Sequence, residues 1–369
     1  MKKKLAIALS LAMVMTMALT ACGGGNNAGN NNGGGAASSN KGGASSAQTP
    51  AGGSSSAQQG GDTGLAPKDG GSSLTFTTGG ESGTYYGFGN VIAGKVGDLT
   101  STSVKAITSG GSAANIQALE DGDAQLGFVQ SDVMVYAYNG ERTFAENGAS
   151  TGFSTVANLY MEQVQIVTVD PSIKSVADLA GKKVSVGAPG SGVFFNAVDV
   201  LNAYGLGDLD SNQQFTKIDA TYQSFQDSAE ALKDAQIDAA FIVAGAPTTA
   251  VTDLASGREI SLVSLDDEHI NALIAECPYY SKNVIAKDVY GTAEDVTTVA
   301  VGAVVIARDD VSADDVYNFL YGTFEDIPNL SHGKAAELDL DFAASVTSIG
   351  YHPGAVAYFA DKGITVPGK

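Results

Sequence analysis

Residues 73–86, SLTFTTGGESGTYY, join a short strand pattern to a glycine-rich loop that opens a helical segment. Residues 183–193, KVSVGAPGSGV, repeat this order of strand, loop and helix start. A helix, a turn and an apolar strand follow later in each half, and these last strands fall at residues 126–129 and 239–243. Alternating strands and helices with short glycine-rich turns are typical of parallel α/β sheets. The repeat therefore predicts an α/β fold class with two similar lobes.

Two apolar segments are suited to connect the lobes. Residues 164–169 form a buried-type strand before Asp170-Pro171, and residues 299–307 form another. If the chain enters the second lobe through the first segment and returns through the other, lobe 1 consists of residues 73–169 plus 299–369. Lobe 2 is then residues 170–298. Segments 314–324 and 331–344 are predicted as helices that complete lobe 1.

The first 72 residues predict a targeting signal and a tether. Lys2, Lys3 and Lys4 precede an apolar run at 5–18, which is typical of a signal peptide, here residues 1–21. The sequence before Cys22 resembles the lipobox of bacterial lipoproteins, in which the cysteine is lipidated; an ordinary signal peptide with a chance cysteine is the alternative. From Cys22, residues 22–72 are rich in Gly, Ser and Asn and predict a flexible tether. We expect an extracytoplasmic protein anchored to the cell membrane by its lipid, with a Gram-positive surface favoured over a periplasm.

Composition and missing motifs exclude several classes of protein. The chain has 40 acidic and 20 basic residues and a net charge of −20, which argues against nucleic-acid binding. Loop 187–192 fits neither the dinucleotide fingerprint nor the nucleophile elbow. The three histidines and Cys277 have no metal-ligand spacing. We therefore expect no catalytic residue, no metal and no cofactor.

Four polar loops at strand ends are the candidate binding elements. They are residues 78–86, 130–132, 189–193 and 244–248. In open α/β sheets, ligands bind beyond the carboxyl ends of the strands, where helix N-termini offer free N–H groups to a carboxylate. Asp132 is predicted to pair with a ligand ammonium group. Plain turns, with Ser82, Thr84, Ser131 or Asp132 capping a helix, remain the alternative.

Several stretches in combination resemble the TAXI-type solute receptors of TRAP transporters. They are TTGGESGTYYGFGNVIA, GDAQLGFVQSDVMVYAYNG, SVADLAGKKVSVGAPGSG, ALKDAQIDAAFIVAGAPTTAVTDLA, DVTTVAVGAVVIA and HPGAVAYFADKG. The resemblance covers nearly all of residues 73–369. It implies a bilobed periplasmic-binding-protein-like fold (type II-like), in which hinge strands join two α/β lobes. It also implies a non-enzymatic receptor that delivers a small carboxylate, a glutamate-like amino acid or other organic acid, to TRAP transporter membrane subunits.

The resemblance maps the family's cleft onto a defined set of residues. These ligand-binding positions are Gly83, Thr84, Tyr85, Gln130, Ser131, Asp132, Gly190, Ser191, Gly192, Gly245 and Pro247. Val193 stands where the family usually has Thr, Gly87 where it usually has Pro, and Glu81 adds an acid. These departures leave the identity of the ligand open.

Other functions stay open beside this one. A binding protein of an ATP-driven importer or a sensor kinase would have the same cleft. A surface enzyme would need a nucleophile–base pair or a metal set, and a purely adhesive lipoprotein would need no ligand. The expected partners are a small carboxylate and membrane subunits, with no nucleic acid, and the expected state is a monomer.

Overall fold

The computed structural model describes residues 65–69 and 71–369. The predicted signal peptide, the lipidation site at Cys22 and the tether up to residue 64 lie outside these residues.

The first part of the chain forms an α/β unit. Its elements are β1 (Ser73–Thr77), α1 (Thr84–Leu99), β2 (Ser103–Ile107), α2 (Ser112–Glu120), β3 (Leu126–Gln130), α3 (Ser131–Asn139), a 3₁₀ helix (Arg142–Glu146) and β4 (Phe153–Thr168). Strand β1 pairs in parallel with both β2 and β3. All five residues of β3 are buried, as expected for a parallel strand covered on both faces.

The second part repeats the arrangement. Its elements are a 3₁₀ helix (Val176–Leu179), β5 (Lys183–Ser185), α4 (Val193–Ala203), β6 (Asp219–Thr221), α5 (Phe225–Lys233), β7 (Ala239–Ala244), α6 (Thr249–Gly257), β8 (Ser261–Leu262), α7 (Asp267–Glu276), β9 (Ser281–Ile285) and a 3₁₀ helix (Lys287–Val289). Strand β5 pairs in parallel with both β6 and β7. From the sequence, a strand is expected near residues 215–218 between those at 183–186 and 239–243; the structure has it a few residues later, at β6.

The last part of the chain returns to the first lobe. Its elements are β10 (Val296–Arg308), α8 (Ala313–Phe324), 3₁₀ helices (Ile327–Asn329 and Gly333–Glu337), α9 (Leu340–Ala343) and α10 (Pro353–Asp361). The single helix predicted for residues 331–344 is wrong. His332 caps the 3₁₀ segment and Asp339 caps α9, with extended backbone at Leu338 between them.

One sheet runs through both lobes, in the order β2-β1-β3-β10-β4-β7-β5-β6, with β8 beside β4 and β9 beside β10. Strand β10 pairs with β9 through residues 296–300 and with β3 through residues 303–307. Strand β4 pairs with β7 only through residues 163–168. The fold is therefore α/β with two lobes joined by two strands, as predicted, and each of these strands pairs with strands of both lobes within its own length.

Each lobe has its own hydrophobic core. In lobe 1, Phe76 of β1 packs between Phe128 and Phe319, with ring centroids 4.9 and 5.5 Å apart. In lobe 2, Val164 and Val301 of the crossing strands pack with Phe241 of β7. Both crossing strands, β4 and β10, therefore contribute side chains to both cores.

The packed chain begins before the predicted start at residue 73. The Lys68 backbone N–H donates to Asn318 Oδ1 at 2.7 Å, and Asn318 Nδ2 donates to the Lys68 carbonyl at 3.1 Å. The Ser72 N–H donates to Asp315 Oδ1 at 2.8 Å. Lys68 and Ser72, assigned to the tether from composition, are thus attached to α8.

Candidate functional site

A cavity of about 220 Å³ lies between the two lobes, at the ends of their parallel strands. Lobe 1 contributes residues 79–85 and 109–112, together with Gln130 and Glu162. Lobe 2 contributes Ala188 and the ranges 191–193, 223–226 and 243–244. The walls come mostly from strand-to-helix loops, the place at which α/β sheets bind ligands.

Three helices begin at this cavity with a glycine as N-cap. Gly83 precedes α1, Gly111 precedes α2 and Gly192 precedes α4, and none of these three caps has a side-chain hydrogen bond to its helix. The Ser224 side chain does cap α5, which also begins at the wall. First-turn N–H groups without a partner carry partial positive charge, so these helix starts favour an anionic group inside the cavity; in α2 one of them, the Ala114 N–H, already donates to the Gly190 carbonyl.

Glu162 supplies the buried acid of the cavity. It lies in β4, is 2% exposed and accepts a hydrogen bond from Tyr85 Oη at 2.6 Å. The Tyr85 ring stacks on Phe128, with centroids 4.6 Å apart, which holds the phenol in place. Burial, with a smaller contribution from the charge of Asp132, raises the pKa of Glu162 to about 8.

The described residues that line the cavity include no lysine and no arginine. Their only acids are Glu162 and the exposed Glu81. A ligand carboxylate would therefore have to be held by backbone and neutral side-chain donors, while a ligand cation would meet a carboxyl group.

Six of the predicted site residues line this cavity: Gly83, Thr84, Tyr85, Gln130, Ser191 and Gly192. Thr84 does not cap its own helix; its Oγ1 donates across the cleft to the Gly245 carbonyl at 2.7 Å. Gln130 Nε2 donates to Asn196 Oδ1 at 2.7 Å, and Gln130 Oε1 is buried without a partner. The cavity therefore contains one unpartnered acceptor besides the acid.

The other predicted residues, Ser131, Asp132, Gly190, Gly245 and Pro247, lie outside the lining. Ser131 Oγ accepts from the Gly302 N–H of β10 at 3.0 Å, so this residue fixes a crossing strand. The Gly190 carbonyl accepts from the Ala114 N–H at 3.0 Å. Gly245 abuts Tyr160 and accepts from Thr84, and Pro247 follows a cis peptide bond. Ser131, Gly190 and Gly245, and also Asp132, therefore form contacts across the cleft or to a crossing strand.

Asp132 belongs to a buried cluster between the lobes. Its Oδ2 accepts from Asn196 Nδ2 at 2.9 Å, while Oδ1 has no partner. Burial, and next the charge of Asp199, raise the pKa of Asp132 to about 7. The structure thus places Asp132 in this cluster outside the cavity lining, whereas Glu162 belongs to the lining.

The same cluster contains an ion pair between the lobes. Arg142 of lobe 1 lies 2.7 Å from Asp199 of α4 in lobe 2. Tyr280 Oη donates to Asp199 at 3.1 Å and accepts from Asn196 at 2.7 Å. These contacts, with Thr84–Gly245, hold the lobes together around the cavity.

Several lining residues were not predicted from the sequence. Loop 109–112, residues 223–226 and Glu162 were all missed. Only Glu162 left a signal, because it is the one charged residue in the buried strand from Phe153 to Thr168. A charged residue in such a strand is expensive to bury unless it has a partner or a function.

Searches of the described residues for two further features found neither. No group of three or more His, Cys, Asp or Glu side chains in residues 65–69 and 71–369 is arranged to hold a metal ion. Within the same residues, no helix has the length and apolar character required to cross a membrane.

Comparison with known proteins gives one family match. The sequence model of the NMT1-like family matches residues 76–363. Among solved structures, the chain is similar to the periplasmic aliphatic sulphonate binding protein SsuA from Escherichia coli, with 16% identity, 77% of this chain and 88% of that chain covered, and a TM-score of 0.40. A putative L-cystine ABC transporter from Listeria monocytogenes matches with 15% identity, 75% and 99% coverage and a TM-score of 0.42. The P235GK mutant of ArgBP from T. maritima matches with 12% identity, 69% and 88% coverage and a TM-score of 0.42.

Proposed function

The chain belongs to the NMT1-like family, and we propose that it is an extracytoplasmic solute-binding receptor of a transporter that captures a small carboxylate. The observation that carries this proposal is the cavity between the lobes, where three glycine-capped helix starts face a space without lysine or arginine. Such an arrangement binds a carboxylate through N–H groups and partial charges. The ligand is either a glutamate-like amino acid or another organic acid.

Ligand capture follows from the two-lobed geometry. Because the walls come from both lobes, a ligand that touches both stabilises the closed arrangement relative to an open one. Inter-lobe bonds such as Thr84–Gly245 and Arg142–Asp199 form only when the lobes are together. Closure therefore buries the ligand and creates one surface composed of both lobes, which membrane subunits can distinguish from the open form. We expect the ligand to be released chemically unchanged.

The transporter class rests on the sequence. The motifs quoted above favour a TRAP transporter, with a lipid on Cys22 holding the receptor at the membrane. An importer driven by ATP, or a sensor kinase, would use the same cavity. Uptake of labelled ligand by the source cells separates the importers: an ionophore that abolishes uptake while ATP is maintained supports TRAP coupling. Loss of uptake on ATP depletion, with ion gradients intact, overturns TRAP coupling.

The lipid anchor is tested separately: replacing Cys22 by Ser should release the protein from the membrane fraction.

The ligand class is tested by thermal stability. We expect residues 23–369 to gain thermal stability with a carboxylate, since a ligand that binds only the folded state adds RT ln(1 + [L]/Kd). Dicarboxylates, amino acids, sugars and polyamines are compared at equal concentration. If sugars or polyamines stabilise the protein and no carboxylate does, the proposed function is refuted.

A further inference from the structure

The buried acid of the cavity allows a sharper statement about the ligand, which rests on the proposed function. Glu162 is held by Tyr85 Oη, is 2% exposed and lines the cavity directly. Within the described residues it forms no ion pair with a lysine, arginine or histidine. An acid buried without a cation is expensive in its charged form unless a binding partner supplies the charge.

The charged and titratable groups around Glu162 do not supply that cation. On its own strand lies Tyr160, from α1 comes Tyr85, and from α3 comes Asp132, which is itself an acid. Lys334 is the cation whose charge lowers the pKa of Glu162, but it does not contact this carboxyl group. Its Nζ is paired with Glu337 and lies 5.5 Å from the centroid of the Tyr160 ring. The cavity therefore presents a carboxyl group whose cationic partner is missing among the described side chains.

We propose that Glu162 is the specificity-determining residue of the cavity, selecting carboxylates that also carry a protonated amino group and losing its own proton when that group binds. The carboxylate of the ligand lies at the helix starts, and its ammonium group lies against Glu162. Tyr85 continues to donate to the second carboxyl oxygen, which fixes the orientation of the acid. A carboxylate without the amine leaves Glu162 neutral and unsatisfied on the cavity side.

The proton balance makes the proposal measurable. In this closed arrangement burial raises the pKa of Glu162 to about 8, so without a ligand the closed cavity holds this group mostly as the neutral acid at pH 7. When a ligand ammonium binds, the Glu162 O–H bond breaks, the electron pair stays on the carboxylate and the proton passes to the buffer. Binding then releases up to one proton, and affinity increases with pH below pH 8 by at most about tenfold per unit.

The test compares amino acids with the acids that lack only the amine. L-glutamate with glutarate, L-alanine with propionate and L-leucine with 4-methylpentanoate are titrated into residues 23–369 by calorimetry, in two buffers of different ionisation enthalpy. We expect at least one amino acid to bind about tenfold or more tightly than its deaminated partner, with an observed binding enthalpy that differs between the buffers because a proton is released. Glu162→Gln should abolish the proton release and remove most of the preference for the amine. Glu120→Gln, an exposed acid at the far end of α2, should change neither.

The outcomes separate the two proposals. If a deaminated acid binds as tightly as its amino acid, or if the amino acid binds without proton release, the role of Glu162 is refuted while the receptor for a carboxylate stands. If no member of any pair binds, the carboxylate ligand class fails and this inference fails with it. The comparison in the unchanged protein needs no variant, so it decides the question even if Glu162→Gln does not fold.

Discussion

Gly192 of lobe 2 lies directly against Gln130 of lobe 1, and replacing it by alanine should weaken ligand binding without unfolding either lobe. A Cβ atom at this position would lie 1.5 Å from Gln130 Oε1, 2.6 Å from Gln130 Cδ and 3.0 Å from Val133 Cγ2. A Cβ atom cannot lie 1.5 or 2.6 Å from a non-bonded atom, so the Gln130 side chain must rotate away from the alanine whenever the lobes close.

The size of the change in ligand affinity follows from the hydrogen bond that Gln130 loses. Its Nε2 donates to Asn196 Oδ1 at 2.7 Å inside a buried contact, and the turn breaks this bond. Leaving buried polar groups without partners destabilises by about 1–3 kcal/mol, and only the closed form is affected. Since the ligand binds the closed form, the apparent Kd should increase about 5- to 150-fold.

Calorimetry with the amino acid or organic acid that most stabilises the unchanged protein measures this change. The matched control is Gly94→Ala in α1, where an added Cβ meets no atom within 4 Å. The control should bind with unchanged affinity and gain up to about 1 kcal/mol of stability from its better helix propensity. In a Gln130→Ala background, Gly192→Ala should weaken binding much less, because the clashing side chain is gone. Affinity equal to that of the unchanged protein in Gly192→Ala, or strictly additive effects in the double variant, would refute the reasoning.

Three further predictions concern the contacts between the lobes and the start of the packed chain. Arg142→Ala leaves Asp199 buried without its cation; because the Arg142 side chain is 28% exposed, we expect the unfolding free energy from chemical denaturation to fall by about 2 kcal/mol, less than for a fully buried pair. Lys217→Ala, which breaks an exposed ion pair, should lower it by under about 0.5 kcal/mol. Equal losses in the two variants would contradict the buried role of Arg142. The pKa of Asp132 is raised from 3.8 to about 7 in the folded protein, so the unfolding free energy should fall as pH increases from 4 to 7. Asp132→Asn should reduce this dependence on pH by up to about 1.4 kcal/mol per pH unit. An unchanged dependence would show that Asp132 does not titrate in this range. A protein of residues 73–369 lacks three hydrogen bonds to α8 that a protein of residues 65–369 retains. Its unfolding free energy should be about 1–3 kcal/mol lower, and equal values would contradict the attachment.

The strand–loop–helix starts of both lobes could be predicted from the sequence because they are local. Apolar strand residues followed at once by glycines and a helical pattern are enough to specify this unit, and the structure has it at β1 and at β5. The bounds of the lobes depend instead on which neighbour a strand pairs with. Strand β4 pairs with β10 through residues 153–163 and with β7 through residues 163–168, and no residue of the strand tells which strand its neighbour will be.

The candidate site shows the same division between local and distant information. Gln130 and Asp132 come from one loop, but positions two apart at a helix start point in different directions. Gln130 therefore lines the cavity, while Asp132 points to the cluster between the lobes. Glu162 is far from every loop in sequence, and only the pairing of the crossing strands brings it to the cavity wall.

The two crossing strands also determine the order in which the molecule can be completed during synthesis. Lobe 2 is continuous in sequence, apart from its share of β10, whereas the sheet of lobe 1 requires β10 between β3 and β4. Until residues 303–307 have been made, β3 has an unpaired edge, and most of the lobe 1 core has no cover from α8. Although lobe 1 begins at the amino-terminal side of the chain, its sheet can therefore be completed only after residues 303–307 have been made. If the chain is exported amino-terminus first, as proposed above, we expect lobe 1 to close only when these residues have crossed the membrane.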